Sequence, residues 1–120
     1  MESKEFIRGM LKTIILRLLA QTKRMYGYEI TQRVAELSQG EINLTYGALY
    51  PILYKLEAEG TLVTSTEVVD TRARKYYSLT PSGRKLAKIK ISELQRFTEI
   101  LTTILGDGYK PNVSLKIGTC

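Results

Sequence analysis

The side chains of this sequence that can do chemistry are cations and tyrosines, and the chemistry open to them is the holding of phosphate. Arg72, Arg74 and Lys75 fall together, Arg84, Lys85, Lys88 and Lys90 follow, and no acidic residue lies between Thr71 and Ser92. Eighteen Lys and Arg against twelve Asp and Glu give a net charge of +6 and a pI of about 9.5, a balance that favours polyanions such as nucleic acid. Histidine is absent, so the commonest general base and the commonest transition-metal ligand are both missing. No nucleophile and base pair, glycine-rich phosphate loop or ligand cluster stands out. Catalysis, a resident cofactor and a metal centre are therefore not expected.

Three of the tyrosines fall in the stretch from Thr45 to Gly60, TYGALYPILYKLEAEG. On a helical wheel Leu49, Ile52, Leu53 and Leu56 gather on one side, while Gly47, Pro51, Tyr54 and Lys55 fall on the other. Thr45 can cap the start by accepting from a free backbone N–H, and Gly60 can take the left-handed conformation that ends a helix. A surface helix normally shows water a run of long charged residues. This one shows glycine, proline and tyrosine, which would let its first turns approach another large molecule closely. The stretch reads as a recognition helix for duplex DNA. Tyr50 and Tyr54 can donate to phosphate oxygens, although a place at the core rim suits a tyrosine equally well. Tyr28, Thr45 and Tyr46 join them as candidate DNA contacts, with Lys23 and Lys55 facing phosphates. The outer face carries no Arg, Asn or Gln, so base specificity would rest on Thr45, Tyr50, apolar contact with thymine methyls and DNA shape.

Other elements must hold that helix. A first helix is expected from about Lys4 to Gln21, where Phe6, Ile7, Met10, Leu11, Ile14, Ile15, Leu18 and Leu19 spread over about 220° of the wheel, too wide for one core face. A second should run from Tyr26 or Gly27 to Leu37 and stop at Ser38-Gln39-Gly40. With the stretch from Thr45 it forms a helix-turn-helix pair. Leu62 to Val69 and Arg74 to Leu79 read as the arms of a hairpin with a polar tip from Asp70 to Ala73. Its cations Arg72, Arg74 and Lys75 make it a wing able to lie along a phosphate backbone. Tyr76 and Tyr77 must point to opposite faces, and Tyr77, in line with Leu79, is expected in the core. Thr80-Pro81 is a strong helix start. The helix should continue to about Leu105 and end at Gly106-Asp107-Gly108, its apolar residues again covering about 200° of the wheel.

Gly27-Tyr28-Glu29-Ile30, Gly47-Ala48-Leu49-Tyr50-Pro51, Leu56-Glu57 with Gly60, Arg74-Lys75-Tyr76-Tyr77, and Thr80 with Gly83 follow one another in this order. Together they resemble the PadR family of bacterial winged-helix regulators, over roughly Arg8 to Leu105, in its short form with a single C-terminal helix. The resemblance implies a homodimeric transcriptional regulator, usually a repressor, acting on a roughly palindromic operator, with the first and last helices at the dimer interface. It also implies that some members release DNA when a phenolic or other apolar small molecule binds. Where the family commonly has Gly and Pro before the wing arginine, this chain has Thr71, Arg72 and Ala73, which predicts a less tightly turned tip with an extra cation.

The expected architecture is mainly α with a small β-hairpin: a winged helix-turn-helix domain over residues 1–80, a long dimerisation helix over 81–107 and a flexible tail over 108–120. Two over-wide helices at opposite ends suggest a homodimer whose interface draws on Phe6, Met10, Leu11 and Ile14 from the first, and Leu94, Phe97, Leu101, Ile104 and Leu105 from the last. Phe6, Met10, Phe97 and Leu101 could line a pocket for a small apolar or aromatic effector. The absence of Trp removes the flat stacking surface that some relatives use for planar drugs. Lys12 and Arg17 interrupt the apolar run near the start, which argues against a membrane span, and the single cysteine, Cys120, fits a reduced cytoplasmic setting. The alternative function is a winged helix used as a protein-interaction module with no specific DNA target.

Overall fold

A computed structural model describes residues 4–106 and the side chains of residues 9–106. The expected tail over 108–120, Cys120 and the side chain of Phe6 lie outside them. The order of elements is α1 (Lys4–Ala20), β1 (Met25–Tyr26), α2 (Gly27–Leu37), α3 (Tyr46–Ala58), β2 (Leu62–Val69), β3 (Arg72–Leu79) and α4 (Pro81–Leu105). The architecture is thus mainly helical with a small antiparallel sheet. That sheet has three strands in the order β1-β3-β2, where the sequence showed two. Met25 and Tyr26 are too few to leave a periodic signal, and only their pairing with Tyr77 and Tyr76 makes them a strand.

The width of α1's apolar surface has an internal cause. Leu11, Ile15, Leu16, Leu18 and Leu19 are all buried in the chain's own core, together with Ile30 and Val34 of α2, Leu49, Leu53 and Leu56 of α3, and Tyr77 and Leu79 of β3. α1 therefore lies centrally, against α2, β3 and α4. Leu11, expected at a subunit interface, is 2% exposed and serves this core instead. Ile14 is half-buried against the same cluster.

α4 behaves differently along its length. Gly83 and Ala87 are buried and Leu86 and Ile91 pack against the core, but past Leu94 the apolar residues Phe97, Ile100, Leu101, Ile104 and Leu105 are exposed. The helix leaves the domain as an arm, and the molecule measures 54 × 29 × 25 Å.

Two threonines fix the helix starts. The Thr45 hydroxyl accepts from Ala48 N at 3.2 Å, and Thr80 does the same for Gly83 N at 2.9 Å. Thr80 also donates to the Gly60 and Thr61 carbonyls at 2.7 and 3.1 Å, which clasps the start of α4 to the end of α3. Gly83 is required there, because a Cβ would run into the Thr61 carbonyl oxygen. Gly60 has φ of 80°, the left-handed conformation expected of the residue that ends α3.

Candidate nucleic-acid interface

The first turn of α3 faces outward. Thr45, Tyr46, Gly47 and Ala48 are exposed, as are Pro51, Tyr54 and Lys55 along the same side. Nothing inside the chain demands glycine at position 47: the one neighbour a Cβ would meet is the Thr45 hydroxyl, at 3.9 Å. A small residue on an open first turn makes room for something outside the chain. Tyr46, Tyr50 and Tyr54 stand one turn apart, with ring centroids 5.5 and 5.7 Å from each other.

Tyr50 differs from its neighbours. It is half-buried against the core, and a Cβ at Gly27 would overlap its hydroxyl. Burial, followed by the nearby Tyr46 and Tyr54, raises its pKa. The glycine of the Gly27-Tyr28-Glu29-Ile30 motif thus exists to seat Tyr50, so Tyr50 packs α3 on α2 before it can serve as a DNA contact. Tyr28 itself is 52% exposed, stacked on Tyr26 at 6.4 Å.

The wing closes more tightly than the sequence suggested. Val69 pairs with Arg72 and Val68 with Ala73, leaving Asp70 and Thr71 alone in the turn, both at positive φ (51° and 64°). Positive φ at both central residues is the signature of a type I′ turn, whose twist matches that of the flanking strands. Arg72 and Ala73 therefore belong to β3 and not to a loose tip. Strand alternation then separates the three wing cations. Arg72 is exposed beside the turn. Lys75 lies on the core side with Tyr77, and its Nζ is 3.5 Å from Glu57 of α3. Desolvation lowers the Lys75 pKa, but Tyr77 and Glu57 together outweigh it and leave the ammonium more basic than usual.

Arg74 turns to the outer face, where its guanidinium stands 4.3 Å from the centroid of Tyr26. A partner there escaped the sequence reading: Arg24 lies 3.8 Å over Tyr76 and pairs with Glu67 at 2.8 Å. That hydrogen bond raises the Arg24 pKa and lowers that of Glu67. Tyr26 and Tyr76 meet edge to face at 5.4 Å. Two arginines laid on two tyrosines make the outer sheet a cationic and aromatic surface. Only the pairing of β1 with β3 brings Arg24 to the wing, and a two-residue strand gave no warning of it. Lys23, just before it, is exposed.

Of the nine residues named for a subunit interface, Phe97, Leu101, Ile104 and Leu105 are exposed, Met10 and Leu94 half-buried. Among the described residues no cluster of His, Cys, Asp and Glu could hold a metal ion, and no helix is long and apolar enough to cross a membrane.

A helix pair whose second member opens outward, followed by a basic hairpin, defines a winged helix-turn-helix DNA-binding domain. Residues 15–89 match the transcriptional regulator PadR-like family, and the chain belongs to that family of DNA-binding regulators, not enzymes. A transcriptional regulator of Mycobacterium tuberculosis is 42% identical over 81 residues, 68% of this chain and 72% of its own. The structure of a transcriptional regulator from Clostridium thermocellum superposes with a TM-score of 0.75 at 30% identity, over 83% of this chain and 97% of that one. A PadR family transcription regulator from Clostridium difficile matches with a TM-score of 0.70 at 29% identity, over 82% and 100%.

Proposed function

We propose that this regulator works as a homodimeric repressor on a roughly palindromic operator. The observation that carries the dimer is the exposed stripe of Phe97, Ile100, Leu101, Ile104 and Leu105 on the α4 arm, which has no core of its own to cover it. Pairing two arms would place two outward-facing α3 helices on one duplex, and two-fold symmetry in the protein calls for two-fold symmetry in the site. On each half-site Thr45, Tyr46 and Gly47 enter the major groove, while Arg72, Lys23 and Lys55 neutralise phosphates. Release by a small apolar or aromatic effector, seated where Phe97 and Leu101 meet Met10 of a second copy, completes the reading. Phe97 and Leu101 are open to water in the single chain, so such a pocket needs the dimer to close it.

The test is binding to duplex DNA from upstream of the chain's own coding region, beside a random duplex of equal length, over a range of salt. Preferential binding at two chains per site, weakening steeply with salt, is expected. Equal weak binding to every duplex would overturn the operator, and a monomer in solution at the concentrations that saturate DNA would overturn the dimer.

A further inference from the structure

The sheet order β1-β3-β2 leaves β2, with the sequence LVTSTEVV, paired along one side alone. Its eight residues match β3 one to one, so no bulge bends the strand away. Among the described residues no backbone hydrogen bond joins its other side to any element. Val63 and Val68 are 52% and 75% exposed, and Ser65, Thr66 and Glu67 between them are exposed as well.

Long free edges are ordinarily guarded by lysine, proline, a bulge or a short span, because their open N–H and C=O groups invite further pairing. This edge has none of these guards. The cations of the hairpin, Arg72, Arg74 and Lys75, all stand on β3, one strand in. Glu67, the single charge of β2, is held by Arg24 at 2.8 Å. Burial does not explain the valines either, since Leu62 is the one residue of β2 that belongs to the core.

We infer that the free edge of β2 pairs antiparallel with β2 of a second copy of this chain, joining two three-stranded sheets into one. The strand is complementary to itself in one register. With Thr66 on the two-fold axis, Val63 lies opposite Val69, Thr64 opposite Val68 and Ser65 opposite Glu67. Odd positions meet odd and even meet even, so each pair shares a face of the sheet. Two of these pairs join β-branched residues, and no charge meets its like. An axis through Glu67 would set two carboxylates face to face, and one through Ser65 would set each Val63 against Glu67. The edge is separate from the α4 stripe, so this contact goes beyond the proposed dimer and links one dimer to the next.

Cross-linking of the full chain in a Cys120→Ser background, at a salt concentration that screens the net charge of +6, tests this. Directly opposed residues of an antiparallel pair have Cα atoms about 4.5–5.5 Å apart, within disulfide reach. Thr66→Cys therefore joins two chains on mild oxidation roughly tenfold faster than Ser65→Cys, whose thiols lie on the diagonal about 7–8 Å apart. Thr66→Glu sets two carboxylates face to face on the axis, while in its own sheet the new side chain lies opposite Lys75. That variant melts no lower than its parent, yet on sedimentation its assembly is half the parent's mass. Equal oxidation rates, no cross-link at either position, or an assembly that survives Thr66→Glu each overturns the inference; an edge reserved for a strand of a different protein gives the second of these. Because α4 is unchanged in every one of these chains, a dimer through its arm survives even where strand pairing fails.

Discussion

Glu57 and Lys75 meet at 3.5 Å across the gap between α3 and the wing, and that contact decides how much of the wing's charge is left for phosphate. The pair is partly exposed, worth about 0–1 kcal/mol in stability, so its main effect is to fix where Lys75 points. Arg72 is exposed with no such partner among the described residues. Arg72→Ala is expected to lower the salt dependence of DNA binding by about one counterion, while Lys75→Ala changes that slope less. Parallel salt titrations of both variants check it, and equal slopes would return Lys75 to the phosphate contacts. Glu67 supplies a pH prediction. Its carboxyl is held below the usual 4.5 by the hydrogen bond from Arg24, so its share of stability is present above 4.5 and is lost as pH falls through the lowered value. Thermal melts of the parent chain and Glu67→Gln should differ at neutral pH and converge in acid. At this scale the sequence was half informative. Exposed Tyr46, Tyr54 and Lys55 and core Tyr77 could be read from helical and strand periodicity, whereas Tyr50's seat on Gly27 and Arg24's place on Tyr76 depend on contacts between elements.

Among the elements, the wing holds the most strain. Thr71 is β-branched at a φ of 64°, a conformation in which its Cβ crowds the backbone. Thr71→Gly should raise stability by about 1 kcal/mol, less the extra entropy glycine loses on folding, and appear as a higher melting temperature with the register of β2 and β3 unchanged by NMR. The junction of α3 and α4 is the reverse case. A Cβ at Gly83 would meet the Thr61 backbone, which cannot rotate away, whereas one at Gly27 would meet the far end of Tyr50. Gly83→Ala is expected to cost about 1–3 kcal/mol by overpacking, and Gly27→Ala less, with Tyr50→Phe restoring part of the loss. Denaturant melts of the four chains would show it. The helices were legible because caps and apolar spacing mark them locally, Thr45 and Thr80 above all. The two-residue turn was not, since Asp70-Thr71 lacks the glycine that usually announces positive φ, and α1's central burial was not, since a wide apolar surface looks the same whether its own domain or a second copy covers it.

At the scale of the whole molecule, the arm of α4 is the part with the least support from its own chain. Replacing Phe97 and Leu101 together by Glu should leave the winged domain folded, because neither residue belongs to its core, while turning the proposed dimer into a monomer. Affinity for a duplex with two half-sites would then fall by roughly a hundredfold or more, as the second contact ceases to be intramolecular. Light scattering and DNA titration of the same sample check both halves of the statement. The clasp of Thr80 on Gly60 and Thr61 gives that arm a mechanical meaning. Because it pegs the start of α4 to the residues that end α3, a turn of the arm in the proposed dimer would be carried to that helix as by a crank, from grip to tool. From Gln95 to Leu105 the arm is about 16 Å long at 1.5 Å per residue, so a swing of about 10° carries its far end through ~3 Å, close to one base-pair step of 3.4 Å. A rotation too small to disturb any contact inside the winged domain would be enough to throw a pair of such tools out of phase with the thread of the double helix.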